Sequence, residues 1–376
     1  MSWRQEHIGL VAIGGAGWMG GANYIRHLAA AIDSVSPETK VSILCGKPLA
    51  GDWCDVRPRV EVAAKPTFFS REPLRRGLRR AAFDFLYPLT YDNEYNLGLR
   101  FPIGEKLAGT HWAGWVPDFQ HRHLPELFSE EEIRRRDAQI AALAAEAPRV
   151  VFSSKNAAAD FATFHPEHAA KALVLNFATN PIPPTPTNEI DAPPRFLLVC
   201  NQFWKHKNHL LIFAALRLLR ARGVRPLVLC TGQLDDYRDR AYADSIRAAL
   251  AADNLGEQVS LLGLIPRARQ IALMRRALAI VQPSLFEGWS TVVEDARALG
   301  RPCLLSDLAV HREQDPPGAR FFDPRSPEAL AELLAEVWEK WPTGPDFEEE
   351  RYAHARALVR LDRVGLRFLE IARGEE

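Results

Sequence analysis

Cysteine is scarce here, and none of it is grouped. The five cysteines (Cys45, Cys54, Cys200, Cys230 and Cys303) are scattered over 376 residues without a C-x-x-C pair. Their odd number and spacing exclude a disulfide framework and a cysteine-built zinc site, and fit a reducing cytoplasm. Neither sign of charge is in excess, with Lys plus Arg and Asp plus Glu at 47 each, so no nucleic-acid partner is expected. No apolar run is long enough to cross a bilayer. The apolar stretch from His7 to Gly21 imitates a signal peptide, but it has Glu6 ahead of it and no basic leader. It runs into the amphipathic segment Asn23–Ile32, so it reads as strand, loop and helix. There is no D-x-D triplet and no cluster of Cys and His. His206 and His209 have helical spacing but no third ligand nearby, so no metal site is expected. G-x-S-x-G and G-K-[ST] are also missing, which sets aside a serine hydrolase and a P-loop enzyme.

What is present is a long alternation of short apolar runs with amphipathic stretches, the pattern of parallel sheets covered by helices on both faces. In the first half the strand-like runs are His7–Ile13, Val41–Cys45, Val60–Ala64, Ala113–Val116 and Val150–Ser153. A break follows at Asn176–Pro194, where six prolines exclude a continuing helix or central strand. The alternation resumes at Arg195–Cys200 and continues past Pro302–Leu305, and Glu348–Ala372 reads as a final helix. The expected organisation is an α/β chain of two Rossmann-like, doubly wound domains. Residues 1–184 form the first, 185–194 a proline-rich linker and 195–355 the second. The last helix, from about 356 to 376, is expected to pack back on the first domain. Ligands of such sheets bind at the carboxyl ends of the strands, which places the expected site in the cleft between the two domains.

Gly15, Gly17 and Gly20 spell G-x-G-x-x-G between a strand and a helix, which raises the alternative of a Rossmann oxidoreductase. That fingerprint needs an acidic residue about 20 positions on to hold the ribose. Here the second strand ends Leu44-Cys45-Gly46-Lys47, without an acid. The glycines still allow close backbone approach by a ligand.

The densest group of functional signals is Pro283–Gly300 (PSLFEGWSTVVEDARALG). A buried strand ends in Ser284-Leu285-Phe286, and a turn at Glu287-Gly288 leads past Trp289 to Ser290 or Thr291 as a helix cap. Amides from about Ser290 to Val293 offer an anion site for a diphosphate. Glu287 stands before that helix start and Asp295 one turn inside it, so one carboxylate is placed for sugar hydroxyls and the other for ribose hydroxyls.

This segment resembles the family-4 retaining glycosyltransferases of the GT-B fold, marked by a glutamate, seven residues and a second acid. Glu287 and Asp295 have that spacing, with Asp in place of the usual second Glu. In Asn201–His209, Lys207 matches the family's diphosphate lysine, while Gln202 stands where an arginine is usual. Leu264 and Ile265, within Gly263–Pro266, resemble the loop that holds the base by its backbone. In the first domain, Trp115–His121 resembles the segment that presents a His-Asp pair to the donor sugar. Pro117 replaces that histidine, Asp118 matches, and His121 is the substitute.

The resemblance implies transfer of a sugar from a UDP- or GDP-linked donor, with retention, to a glycan, lipid-linked or cell-envelope acceptor. The donor is a substrate, so no cofactor is expected. With no D-x-D, Lys207 and the amides near Ser290 are expected to hold the diphosphate without metal. A GT-B sugar-nucleotide epimerase is a further alternative. The stretch Arg71–Phe83, with five arginines beside Leu and Phe, suggests a peripheral contact with an anionic membrane on the cytoplasmic side.

Overall fold

A computed structural model describes residues 6–14, 18–44, 83–92, 103, 107, 109–183, 191–234, 236, 238–239 and 241–375. The chain divides into two compact units, Met1–Asn180 with Leu358–Glu376, and Pro181–Ala357.

Among the described residues, the first unit holds six parallel strands: β1 (His7–Val11), β2 (Lys40–Leu44), β3 (Phe85–Thr90), β4 (His111–Trp115), β5 (Val150–Phe152) and β6 (Ala172–Val174). Their order is β2-β1-β3-β4-β5-β6. Nearly every strand residue is buried, because helices cover both faces, and this is why the strands read as short apolar runs. β3 departs from the sequence reading. Its Pro88 lacks the N–H that a central strand needs, yet the register against β4 already shifts between Leu86 and Leu89, so the proline sits where the ladder is interrupted. The expected strand Val60–Ala64 and the arginine-rich stretch up to residue 82 lie outside the described residues, and Phe83 is buried in the core.

The helix Met19–Val35 packs on this sheet through aromatics. Tyr24 lies 4.9 Å from Trp115 at an interplanar angle of 9°, and its hydroxyl meets that of Tyr87 at 2.5 Å. Gly14 makes the turn from β1 into this helix, with φ at +72° and the backbone oxygen of Trp18 only 2.3 Å from where a Cβ would sit. Gly15 and Gly17 lie outside the described residues. Gly20 is inside the helix, where a Cβ would come to 3.3 Å from the Trp18 indole nitrogen. The final helix runs from Phe347 to Arg373, and its Phe368 packs on Phe85 and Tyr87 of the first unit.

The second unit holds β7 (Leu197–Cys200), β8 (Val228–Thr231), β9 (Val259–Gly263), β10 (Ile280–Gln282), β11 (Cys303–Ser306) and β12 (Arg320–Phe322), all parallel. Their order is β12-β11-β10-β7-β8-β9. Alternate residues of β7 serve opposite cores: Leu197 and Val199 join Ile212 and Leu216, whereas Leu198 and Cys200 join Ile271 and Val293. The chain runs outward from β7 to β9 and then returns to the other side of β7 at β10. The carboxyl ends of β7 and β10 therefore flank the topological switch point, where ligands of such sheets bind. The helix Pro327–Lys340 was not anticipated, although Ser326 caps it by accepting from the Ala329 amide at 3.0 Å and proline opens it.

The loop after β8 lies directly on the loop after β7. At Gly232, φ is +130° and a Cβ would come to 2.1 Å from the Asn201 carbonyl oxygen. At Gly223, φ is +80° and nothing lies within 4 Å. Gly223→Ala should therefore cost only backbone strain of about 1 kcal/mol, and Gly232→Ala clearly more. Denaturant unfolding of both variants checks this, and equal losses would show that the close approach carries no weight.

Candidate active site

Side-chain amides lock the switch point. Asn201, just beyond β7, donates to the Gln282 carbonyl at 2.9 Å, and Gln282, at the end of β10, donates back at 3.1 Å. Asn208 occupies the left-handed region at φ 58°, which asparagine tolerates, and donates to the carbonyls of Pro283 (3.1 Å) and Pro324 (2.9 Å). The Leu285 amide donates to the His206 carbonyl at 2.8 Å. The loops after β7 and β10 are thus fixed to each other.

This frame brings Lys207 to Glu287. The ammonium meets Glu287 Oε1 at 2.7 Å, and the same oxygen accepts from the Ser284 hydroxyl at 2.6 Å and the Gln282 amide at 2.8 Å. Oε2 takes none of these donors. Burial by itself would raise the Glu287 carboxyl. The charge of Lys207, the nearby His311 and the hydrogen bonds from Lys207 and Ser284 outweigh it and bring the carboxyl below its ordinary range. His311 is fully buried, and that burial is the main force lowering its own proton affinity, against the pull of Glu287. It donates through Nδ1 to the Ser306 carbonyl at 2.9 Å, while Nε2 has no hydrogen-bond partner. His206 and His209 are likewise buried, with burial as the main force lowering both, His209 to about 3. Among the described residues there is no group of three or more His, Cys, Asp or Glu able to hold a metal ion.

The helix Thr291–Ala298 begins beside this pair. Two of the amides offered to an anion by the sequence are used within the protein. Ser290 N–H donates to Gln314 Oε1 at 3.2 Å, and Val293 N–H donates to the capping Ser290 hydroxyl at 3.4 Å. The amides of Thr291 and Val292 have no hydrogen-bond acceptor among the described residues. Gln314, unforeseen from sequence, also donates to the Ser290 carbonyl (3.0 Å) and to the buried Glu294 (3.1 Å), fixing the cap. Gly288 and Trp289 are half-buried between Glu287 and the cap, as is Gln202 on the loop after β7.

Leu264, 69% exposed, and the half-buried Ile265 follow β9. The next helix opens with Arg267, whose guanidinium grips Asp295 in two bonds, Nη1 to Oδ2 at 2.7 Å and Nη2 to Oδ1 at 2.6 Å. Asp295, expected to accept ribose hydroxyls, is thus paired within the protein through both of its oxygens. A cation at a helix start opposes the helix dipole, and that mismatch is the one trace of the pair in the sequence.

In the first unit, Asp118 is half-buried and accepts from the Gln120 amide at 2.9 Å, just ahead of the short helical turn Gln120–His123. His121 is only 1% exposed, with Nε2 at 3.0 Å from Asp137. Burial is the main force on this ring and lowers its proton affinity. The ring that the sequence offers as the substitute for the family's histidine is therefore buried and turned towards Asp137. The exposed histidine of the turn is His123, bound to Asp160 at 2.8 Å.

Residues 186–354 match the family model for glycosyl transferases group 1. That match lies within the second unit. Over 106 residues the chain is 32% identical to EpsF of Bacillus subtilis (strain 168), named as a glycosyltransferase. That match spans 28% of this chain and 26% of EpsF, about a quarter of the relative. Among solved structures, Anabaena Alr3699/HepE in complex with UDP and glucose is similar over 99% of this chain and 100% of its own, with a TM-score of 0.70 and 15% identity. Sucrose-phosphate synthase from Thermosynechococcus elongatus is similar over 99% of both chains, with a TM-score of 0.68 and 16% identity. These likenesses establish the GT-B fold of two Rossmann-like domains. In the second unit, Lys207, Glu287 and Ser290 share one hydrogen-bonded network through Gln282, with Thr291 beside it.

Removing the ammonium should leave the buried Glu287 uncompensated. Lys207→Met is expected to cost about 3 kcal/mol or more, and the double variant with Glu287→Gln less than the sum of the singles. The Glu287 carboxyl lies lower folded than unfolded, so its contribution is complete above the unfolded value of about 4.3 and fades as pH falls through the folded one. Urea melts at stepped pH should show the wild-type advantage over Glu287→Gln shrinking below about pH 4. A constant difference would deny the charge pairing.

Proposed function

We propose that this chain transfers a sugar from a UDP- or GDP-linked donor to a hydroxyl of a glycan, lipid-linked or cell-envelope acceptor, with retention and without a metal ion. The observation that carries the reading is the Lys207–Glu287 pair, set beside a helix start at the switch point of a glycosyl transferase group 1 domain. In the reaction, the bond between the anomeric carbon and the diphosphate oxygen breaks, and negative charge gathers on the departing diphosphate. An ammonium has three donors, and Glu287 uses one of those of Lys207, so two are left for phosphate oxygens. The Thr291 and Val292 amides and the helix dipole add to them.

Glu287 Oε2 accepts from a hydroxyl of the donor sugar and fixes its ring. The exposed Leu264 and the neighbouring Ile265 cover the base, held through their backbone. The acceptor oxygen forms the new bond, and its proton passes to the departing phosphate on the same face of the sugar, as the resemblance to family-4 enzymes implies. Asp118 contributes a contact to the sugar or acceptor, and His121 positions the turn that carries it. The UDP and UDP-glucose complexes solved for HepE support a uridine nucleotide as the first donor to test. The missing D-x-D and the cation-plus-amide cradle support metal independence. Peripheral attachment on the cytoplasmic side through Arg71–Phe83 rests on the sequence, since that stretch up to residue 82 lies outside the described residues. No helix among the described residues is long and apolar enough to cross a membrane.

A thermal-shift series with UDP, GDP and their sugars tests the reading. One of them should stabilise the protein, by about 2.7 kcal/mol at 100 times its Kd, and EDTA should leave the shift intact. Glu287→Gln should lower turnover at least ~10-fold while changing affinity for the bare nucleotide only a few-fold. Loss of the shift on chelation would overturn the metal-free mechanism, and no response to any nucleotide would overturn the donor class.

A further inference from the structure

The Arg267–Asp295 pair divides its surface unequally. The arginine side chain is 44% exposed and the aspartate side chain 5%. Both Asp295 oxygens are taken, so the face of this pair that meets solvent is the guanidinium. A guanidinium has five N–H donors in a fixed plane. Three of those of Arg267 are engaged: one on Nη1 and one on Nη2 with Asp295, and the second on Nη1 with Gln270 Oε1 at 3.1 Å. The two that are left are the Nε–H and the outer Nη2–H. They lie side by side along one edge of the plane and point the same way, and no protein acceptor is recorded for them. Such an edge fits two oxygens of one phosphate or carboxylate.

The place of this edge narrows the ligand. Arg267 follows Leu264 and Ile265 by two residues, and Asp295 lies one turn inside the helix whose start holds the remaining anion-binding amides. Cys200, at the end of β7, is close enough for its thiol, raised to about 11 chiefly by burial, to feel both Asp295 and Arg267. The guanidinium is therefore stationed between the loop after β9 and the carboxyl end of β7.

Resting on the nucleotide-sugar reading, we propose that Arg267 binds a phosphate of the nucleotide through its Nε–Nη2 edge, and that Asp295 is the positioning residue that aims it. The carboxylate then serves the nucleotide at one remove, with Arg267 as the contact. Arg267 adds a second cation to the site besides Lys207, and one whose planar fork fixes orientation as well as charge.

Calorimetric titration with uridine, UMP and UDP, and in parallel with guanosine, GMP and GDP, tests this. Arg267→Met should weaken the mono- and diphosphate of the preferred base at least ~10-fold and leave the nucleoside within about 2-fold. Arg267→Lys should recover only part of the loss, because an ammonium lacks the fork. Asp295→Asn should weaken the same phosphorylated ligands, but less than Arg267→Met does. Since Arg267→Met strands a buried carboxylate, the double variant Arg267→Gln with Asp295→Asn, which keeps an amide pair in the same space, provides a second route and should match the loss. Equal weakening of nucleoside and nucleotide would place the edge on the ribose or base and overturn the assignment. Unchanged affinities in a folded double variant would overturn it as well, while leaving the donor class standing. A wild-type protein that binds none of the six ligands would overturn the nucleotide-sugar reading, and this proposal with it.

Discussion

The second unit is organised around one buried carboxylate oxygen. Glu287 Oε1 collects an ammonium, a hydroxyl and an amide from Lys207, Ser284 and Gln282. A carboxylate so deeply buried is costly unless nearly every lone pair is used, and here the environment of one oxygen is saturated. The surrounding devices serve that end. The reciprocal Asn201–Gln282 amides fix the strands, left-handed Asn208 fixes three loops, and Gln314 fixes the helix cap. None of them touches a substrate in the proposed reaction, yet each determines where Lys207 and Glu287 stand.

Buried histidines form the other layer of the second unit. The proton affinities of His206, His209 and His311 are all lowered, and burial is the leading cause for each. His209 lies flat on Phe203 at 4.0 Å, and neither ring nitrogen has a hydrogen-bond partner among the described residues. His206 and His209 sit inside the fold, although their positions in the sequence beside Lys207 suggest ligands.

Much of the fold was legible because parallel strands covered on both faces announce themselves as short apolar runs between amphipathic helices. β3 was not legible, since Pro88 contradicts a central strand unless the register shift is known. Glu287 and Ser290 could be read from a local pattern of strand end, turn and cap, and Lys207 from the resemblance to a family. Three other features were hidden: Gln314 on the Ser290 amide, Arg267 on Asp295, and His121 turned inward to Asp137. All three depend on contacts between residues 16 to 28 positions apart in sequence, and the partner in such a contact is chosen by the tertiary fold. Local propensity carries no record of that choice.

The division of labour between the two oxygens of Glu287 has a consequence for how the site tolerates change. Its inner oxygen faces only donors, and an amide carbonyl can keep those hydrogen bonds while giving up the ion pair with Lys207. In the proposed reaction its outer position faces the sugar, and there an amide nitrogen turns an acceptor into a donor. Glutamine at 287 would therefore cost the protein its charge pairing and be inverted in polarity towards the sugar. A drift from glutamate to glutamine would leave a domain that folds, and retains its cradle for phosphate, but asks the opposite hydrogen-bond pattern of whatever enters.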